Sequence, residues 1–278
     1  MPADARQLFI QKRLLRSFSD STGLNVKFHK SFLVPINVST EKCLHHARTF
    51  RCEVVTMPFT YLGLPLGTTR PTVHEFSPLI SKMEKRLSGV SKFLSYHGRL
   101  TLVNSVFSAL PTYYMCSLII PPAVIQQIDR FRKHCLWSKG DIHRRGTCLA
   151  AWEPMCRKKD EGGLGIINIH NQNLALLMKF LDKFCSHANI PWFNLTWSKL
   201  YHNSNIPPHA KNPCGSFWWK NIIKLFIKFR DFIICHPNSG NTVSLWNDPW
   251  SDDALELKMP HLHSFAKKKL LHQILPRQ

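Results

Sequence analysis

The sequence predicts an α+β chain that is mainly α, with short strands confined to the first 68 residues. Three observations carry this. Apolar residues alternate with polar ones at Leu24, Val26 and Phe28, and further apolar runs bounded by turn residues continue to Leu66. From Phe76 onward the apolar residues recur at helical spacing instead. Six tryptophans, at 192, 197, 218, 219, 246 and 250, then crowd the last part of the chain. The expected organisation is 1–68 mixed, 69–140 helical, 141–190 a basic connector with a helix, and 191–278 a Trp-rich mixed region.

In chain order, Leu8, Phe9, Leu14, Leu15 and Phe18 form an imperfect helical stripe over 6–19, and Gly23 follows where a helix commonly stops. Residues 24–34 read as a hairpin-like pair of strands ending at Pro35. A second pair is expected from Cys52 to Thr56 and Phe59 to Leu62, closed by Gly63-Leu64-Pro65-Leu66-Gly67. Placed at 100° steps from Lys82, residues Phe76, Leu79, Ile80, Met83, Leu87, Val90 and Leu94 fall between about 60° and 160°. Lys82, Lys85, Arg86 and Lys92 fall between about −80° and +40°, so one face packs and the adjacent face is cationic. Gly98 is expected to break this helix. A second helix is expected over 99–110 and a third from Pro122, with Val124, Ile128, Phe131 and Cys135 in line. Between Arg130 and Asp160 nine Lys or Arg face three acids, which reads as an exposed basic connector. Helices over 171–187 and 217–234 and a strand over 242–246 complete the expectation.

The charge balance narrows the functional classes. Lys and Arg number 37 against 17 Asp and Glu, a net charge of +20, and such a surface seeks polyanions. The apolar run over 113–125 is interrupted by Pro121-Pro122 and is shorter than the ~20 residues of a bilayer span. No membrane partner is expected. The N-terminal residues lack the apolar core of a secretory signal, and the expected location is nucleus or cytoplasm. Nine cysteines without a C-x-x-C pair argue against a disulfide framework. Cys148, Cys156, His143 and His170 are the nearest approach to a zinc pattern, but their spacing is not that of structural zinc ligands.

Catalytic patterns are sparse. A polymerase or nuclease centre needs clustered carboxylates to hold two divalent metals beside phosphate oxygens. The adjacent pair Asp252-Asp253 has no convincing strand before it, and it reads as loop or helix N-terminal acids. There is no phosphate-cradling G-x-x-x-x-G-K-[ST] and no G-x-S-x-G elbow. Gly162-Gly163-Leu164-Gly165 reads as a tight turn. The cationic helix face is the informative feature, because lysine and arginine on phosphates displace counterions and bind without regard to sequence. Tyr61, Tyr113 and Tyr114 are candidate rings for stacking on bases, with packing in the core as the alternative.

An ordered series of strings resembles the plant LINE-type non-LTR retrotransposon reverse transcriptases, over residues 15 to 265. The strings are Gly23-Leu24-Asn25 with Lys30-Ser31; Tyr61-Leu62-Gly63-Leu64-Pro65-Leu66-Gly67; and Gly98-Arg99-Leu100-Thr101-Leu102-Val103 with Leu110-Pro111 and Tyr113. They continue with Trp152, Cys156, Lys158 and the glycine turn, then Ser216-Phe217-Trp218-Trp219-Lys220, then Trp246, Asp248 and Trp250. The resemblance implies a right-hand polymerase that copies RNA into DNA with two magnesium ions. By it, residues 1–68 are the end of a palm, 69–140 a helical thumb, and 191–278 a C-terminal extension.

It further implies that Tyr61, Leu62 and Gly63 match the turn gripping the primer end and Lys30 the segment after the catalytic loop. The candidate nucleic-acid contacts are thus Lys82, Lys85, Arg86, Lys92 and Arg99, with Tyr61, Leu62, Gly63 and Lys30. The family's aromatic-x-Asp-Asp turn belongs upstream of Gly23, where only Asp4 and Asp20 occur, and Val90 stands where the first thumb helix usually carries tryptophan. The expectation is a retroelement fragment that binds RNA and DNA template-primer, holds no cofactor itself, and depends for synthesis on a polymerase half supplied in trans. The alternatives are a host-recruited nucleic-acid-binding module and a non-functional pseudogene product.

Overall fold

The computed structural model describes residues 4–90, 93–137, 150–201, 213–236, 243–250 and 254–265. The chain divides into two compact units, 1–71 and 72–278.

In the first unit, α1 (Ala5–Thr22) starts at Asp4, whose carboxylate accepts from the Arg6 amide at 3.2 Å. It ends at Gly23, at φ 73°, whose amide donates to the Ser19 carbonyl at 2.8 Å. Leu8 is the buried residue of this helix, against α2 (Thr40–Phe50). α2 buries Cys43, His46, Ala47 and Phe50, at i, i+3, i+4 and i+7. β1 (Phe32–Leu33) pairs in parallel with β2 (Glu53–Val54), and α2 is the crossover between them. The hairpin-like pairing expected within 24–34 therefore does not form, and Phe28–Lys30 is a 3-10 turn. β3 (Phe59–Tyr61) pairs antiparallel with β4 (Leu64–Leu66) in the register Tyr61 to Leu64, so the hairpin closes at Leu62-Gly63 instead of over 63–67. Ile10, Leu14 and Phe18, a stripe at i, i+4 and i+8 on α1, stay exposed.

The second unit is helical: α3 (Ser77–Val90), α4 (Tyr96–Leu102), α5 (Thr112–Met115), α6 (Pro122–Trp137), α7 (Trp152–Met155), α8 (Ile169–Cys185) and α9 (Pro191–Leu200). Then come α10 (Phe217–Lys224), α11 (Phe226–Arg230), α12 (Leu255–Lys258) and α13 (Pro260–Phe265). Gly98 lies inside the first turn of α4, its amide donating to the Ser95 hydroxyl at 3.2 Å, so it does not separate the helices. α4 widens into a π-helical turn over Val103–Phe107, closed by Ser108, whose amide and hydroxyl both donate to the Val103 carbonyl. The helix expected over 217–234 breaks at Leu225, and Leu245–Asn247 form a turn where a strand was expected. Residues 138–149 of the basic connector lie outside the described residues, and its first part, to Trp137, continues α6, where Arg132 is buried and not exposed as expected.

Two polar keystones lock these helices. Asn173, buried on α8, donates to the carbonyls of Met115 (2.9 Å) and Leu118 (2.8 Å) and accepts from the Ile120 amide (2.9 Å). Three backbone groups at the end of α5 are thereby satisfied without water. Arg132 of α6, fully buried, pairs with Asp129 at 2.7 Å and donates to the Ser108 hydroxyl (3.0 Å) and the Ile167 carbonyl (2.6 Å). Beyond them, aromatic packing is continuous across residue 190, centred on Phe184, which stacks on Trp197 with centroids 4.3 Å apart.

The glycine turn after α7 is structural. A Cβ on Gly163 would lie 2.2 Å from the Arg157 carbonyl oxygen, a backbone atom that cannot step aside, whereas at Gly162 (φ 80°) the space is open. Gly163→Ala is expected to cost about 1–3 kcal/mol through overpacking and Gly162→Ala roughly 1–2 kcal/mol of left-handed strain. Urea unfolding of the two variants measures this, and equal midpoints with wild type at Gly163 would refute the contact.

Candidate nucleic-acid interface

The cationic helix is positioned from its own N-terminus. Thr72 and Glu75 form a capping box before the turn Val73–Phe76, which leads directly into α3. Phe76, Leu79, Met83 and Leu87 are then buried to within 2% of complete. Their partner is α6, whose Val124, Ile128, Phe131 and Cys135 line the facing stripe. With the apolar face committed to this packing, Lys82, Lys85 and Arg86 are all exposed, as their phase on the helix requires. Glu84 is exposed too, but lies about 200° from Lys82 on the wheel, away from the cations. Lys92 lies outside the described residues.

Arg99 is not part of this surface. It is 9% exposed, and its guanidinium donates to the Leu136 carbonyl in the last turn of α6 and lies over the Tyr96 ring at 5.8 Å. A helix C-terminus leaves carbonyls without amide partners and carries negative partial charge, and a cation from a neighbouring helix satisfies both. Arg99 is a tie between α4 and α6.

The remaining candidates lie in the first unit. Lys30, exposed, ends the 3-10 turn. Leu62 (φ 50°) and Gly63 (φ 82°) are consecutive left-handed residues, the backbone of a two-residue hairpin loop. Leu62 takes this conformation at a steric cost that glycine escapes, yet it is 74% exposed and Tyr61 beside it is 60% exposed. The hairpin tip thus carries an apolar and an aromatic side chain into solvent.

Of the stacking candidates, Tyr113 is 51% exposed, while Tyr114 packs on Phe76 at 5.7 Å and burial pushes its hydroxyl pKa up. Phe93, three residues past the end of α3 and 90% exposed, is a ring the apolar pattern did not single out. Helical phase does not place it, because α3 ends at Val90.

Metal and thiol chemistry find little support. Among the described residues no three His, Cys, Asp or Glu side chains come together to hold a metal. Asp252, Asp253, His143 and Cys148 lie outside the described residues. Among the described residues, the magnesium pair that the resemblance implies has no fitting carboxylate set. Burial pushes the Cys135 and Cys185 thiols up to about 12 and Cys235 to about 11, aided for the latter two by Asp248. These are neutral thiols at neutral pH, not nucleophiles. No described helix is long and apolar enough to cross a membrane.

No protein-family model matches the chain. It is similar to an Arabidopsis thaliana protein that carries the provisional name ribonuclease H protein, at 28% identity over 194 residues, which is 67% of this chain and 31% of that relative. It is also similar to an uncharacterized mitochondrial protein of Arabidopsis thaliana, at 24% identity over 156 residues, 56% of this chain and 99% of the relative. The chain thus spans about a third of the first relative's length and matches nearly all of the second.

Proposed function

We propose that this chain is a retroelement-derived segment related to the C-terminal part of a LINE-type reverse transcriptase, that it binds RNA and DNA template-primer through α3, and that it performs no synthesis alone. The observation that carries the binding is the division of α3: apolar residues within 2% of full burial on one side, three exposed cations on the adjacent side. A net charge of +20 favours the same partner. The relative named for ribonuclease H supports nucleic-acid handling, and the exposed stripe of Ile10, Leu14 and Phe18 supports a first unit that packs against a polymerase half from another chain. Nucleus or cytoplasm is the location this reading takes.

The test is a primer-extension and binding assay in one tube. Purified chain, primed RNA, deoxynucleotides and magnesium should give a salt-sensitive complex and no extended primer. Incorporation that survives replacement of Asp252 and Asp253, or failure to form a complex at low salt, would overturn the proposal. A second reading, a stand-alone nucleic-acid-binding module, is favoured by the short relative matched over 99% of its length. It predicts equal affinity for blunt duplex and recessed primer ends, whereas the polymerase-derived reading predicts preference for the recessed end.

A further inference from the structure

The second unit has a groove of about 700 Å³ between α8 and the turn that follows α11. This lies inside the roughly 300–1,000 Å³ range of ligand clefts. Leu174, Met178, Phe229 and Ile233 supply an apolar floor. Lys179 and Lys228 line it from opposite elements, with Asn171 at one end. Among the described residues neither lysine is paired with Asp182 or Asp231, the two acids that also line it. Phe232 is 80% exposed, and it is carried by an ordered turn: its amide donates to the Phe229 carbonyl at 3.1 Å and that of Asp231 to Lys228 at 3.2 Å.

We infer that this groove binds an unpaired nucleotide of a single-stranded nucleic acid, with Phe232 stacking on the base and Lys179 and Lys228 on the flanking phosphates. The inference rests on the nucleic-acid reading above and adds a second site to it. A presented ring beside two ammonium groups is the combination that holds single strands, because every base has a π-face and every linkage a charge. A duplex hides its base faces, so only an unpaired base reaches the ring. The carboxylates repel phosphate but accept from exocyclic amino groups such as cytosine N4.

The experiment uses the full chain, a labelled oligodeoxycytidylate of about eight nucleotides and a blunt DNA duplex, titrated by fluorescence anisotropy. Phe232→Ala should weaken oligonucleotide binding roughly 5- to 150-fold, the effect of one stacked base. Replacing Lys179 and Lys228 with Gln should lower its log-log salt slope by about 1.4. Duplex affinity should be unchanged in both variants, whose altered side chains are exposed. If oligonucleotide affinity and slope stay at wild type while glutamines on α3 abolish duplex binding, the groove assignment falls and the nucleic-acid reading stands. If wild type binds neither probe, both fall. Uptake of an acidic amphipathic peptide with no uptake of the oligonucleotide would make this a protein-docking groove and overturn the inference.

Discussion

Replacing Lys82, Lys85 and Arg86 together with glutamine lowers the log-log salt slope of duplex binding by about 2.7, because each phosphate contact on B-form DNA contributes about 0.9. With the non-electrostatic part unchanged, the same slope converts to roughly 500-fold weaker binding at 0.1 M salt. The stability cost should be small, since all three side chains are exposed and the packing face of α3 is untouched. Salt titrations of wild type and variant against one duplex, with a urea curve on each, measure both quantities. Arg99→Gln is the internal control. Because its guanidinium is spent on the Leu136 carbonyl, that variant should lose stability and leave the salt slope where it was. A slope unchanged in the triple variant would remove α3 from the interface; a slope lowered by Arg99→Gln would put Arg99 back on it.

The contrast between those cations shows what the sequence could and could not reveal. Lys82, Lys85 and Arg86 were legible because helical phase fixes a side chain's direction once the apolar stripe is known. Arg99 was misread because charge in a sequence says nothing of burial, and the carbonyl it serves lies 37 residues away on α6. The same limit explains the strands. Pairing of β1 with β2 is set by a parallel crossover through α2, and α2 escaped notice because its buried face contains His46 and Cys43 alongside Ala47 and Phe50. The hairpin was misplaced by reading Pro65 as a turn residue. Pro65 instead occupies β4 opposite Thr60, where an edge strand tolerates a missing amide, and Gly63 supplies the left-handed backbone. Where the pattern was both local and apolar, as along α6 from Pro122, expectation and structure coincide.

Arg132→Leu should be the most destabilising single change in the second unit, by about 3–5 kcal/mol, because breaking a buried ion pair strands its partners. The lower end is the better figure. Burial pulls the Arg132 guanidinium pKa down against the opposing pull of Asp129, so the native charge already carries a desolvation cost. The Asp129 side chain is also 21% exposed and can turn to water once alone. What loses its donor is a pair of acceptors, the buried Ser108 hydroxyl that closes the π-helical turn and the Ile167 carbonyl that anchors the loop after α7. Asp129→Asn leaves both acceptors served and should cost about 1 kcal/mol, so urea midpoints in the order wild type, Asp129→Asn, Arg132→Leu test the assignment. The damage should also be local. Trp152 lies 5.3 Å from the Arg132 guanidinium and 5.6 Å from the Lys133 ammonium, so it keeps one of its two cations, while the Ile167 end of the loop loses its tether. Trypsin should therefore cut after Arg157, Lys158 or Lys159 under native conditions sooner than the global unfolding equilibrium allows. Cleavage rates in Arg132→Leu that follow global stability alone would show that the guanidinium holds helices together but not this loop.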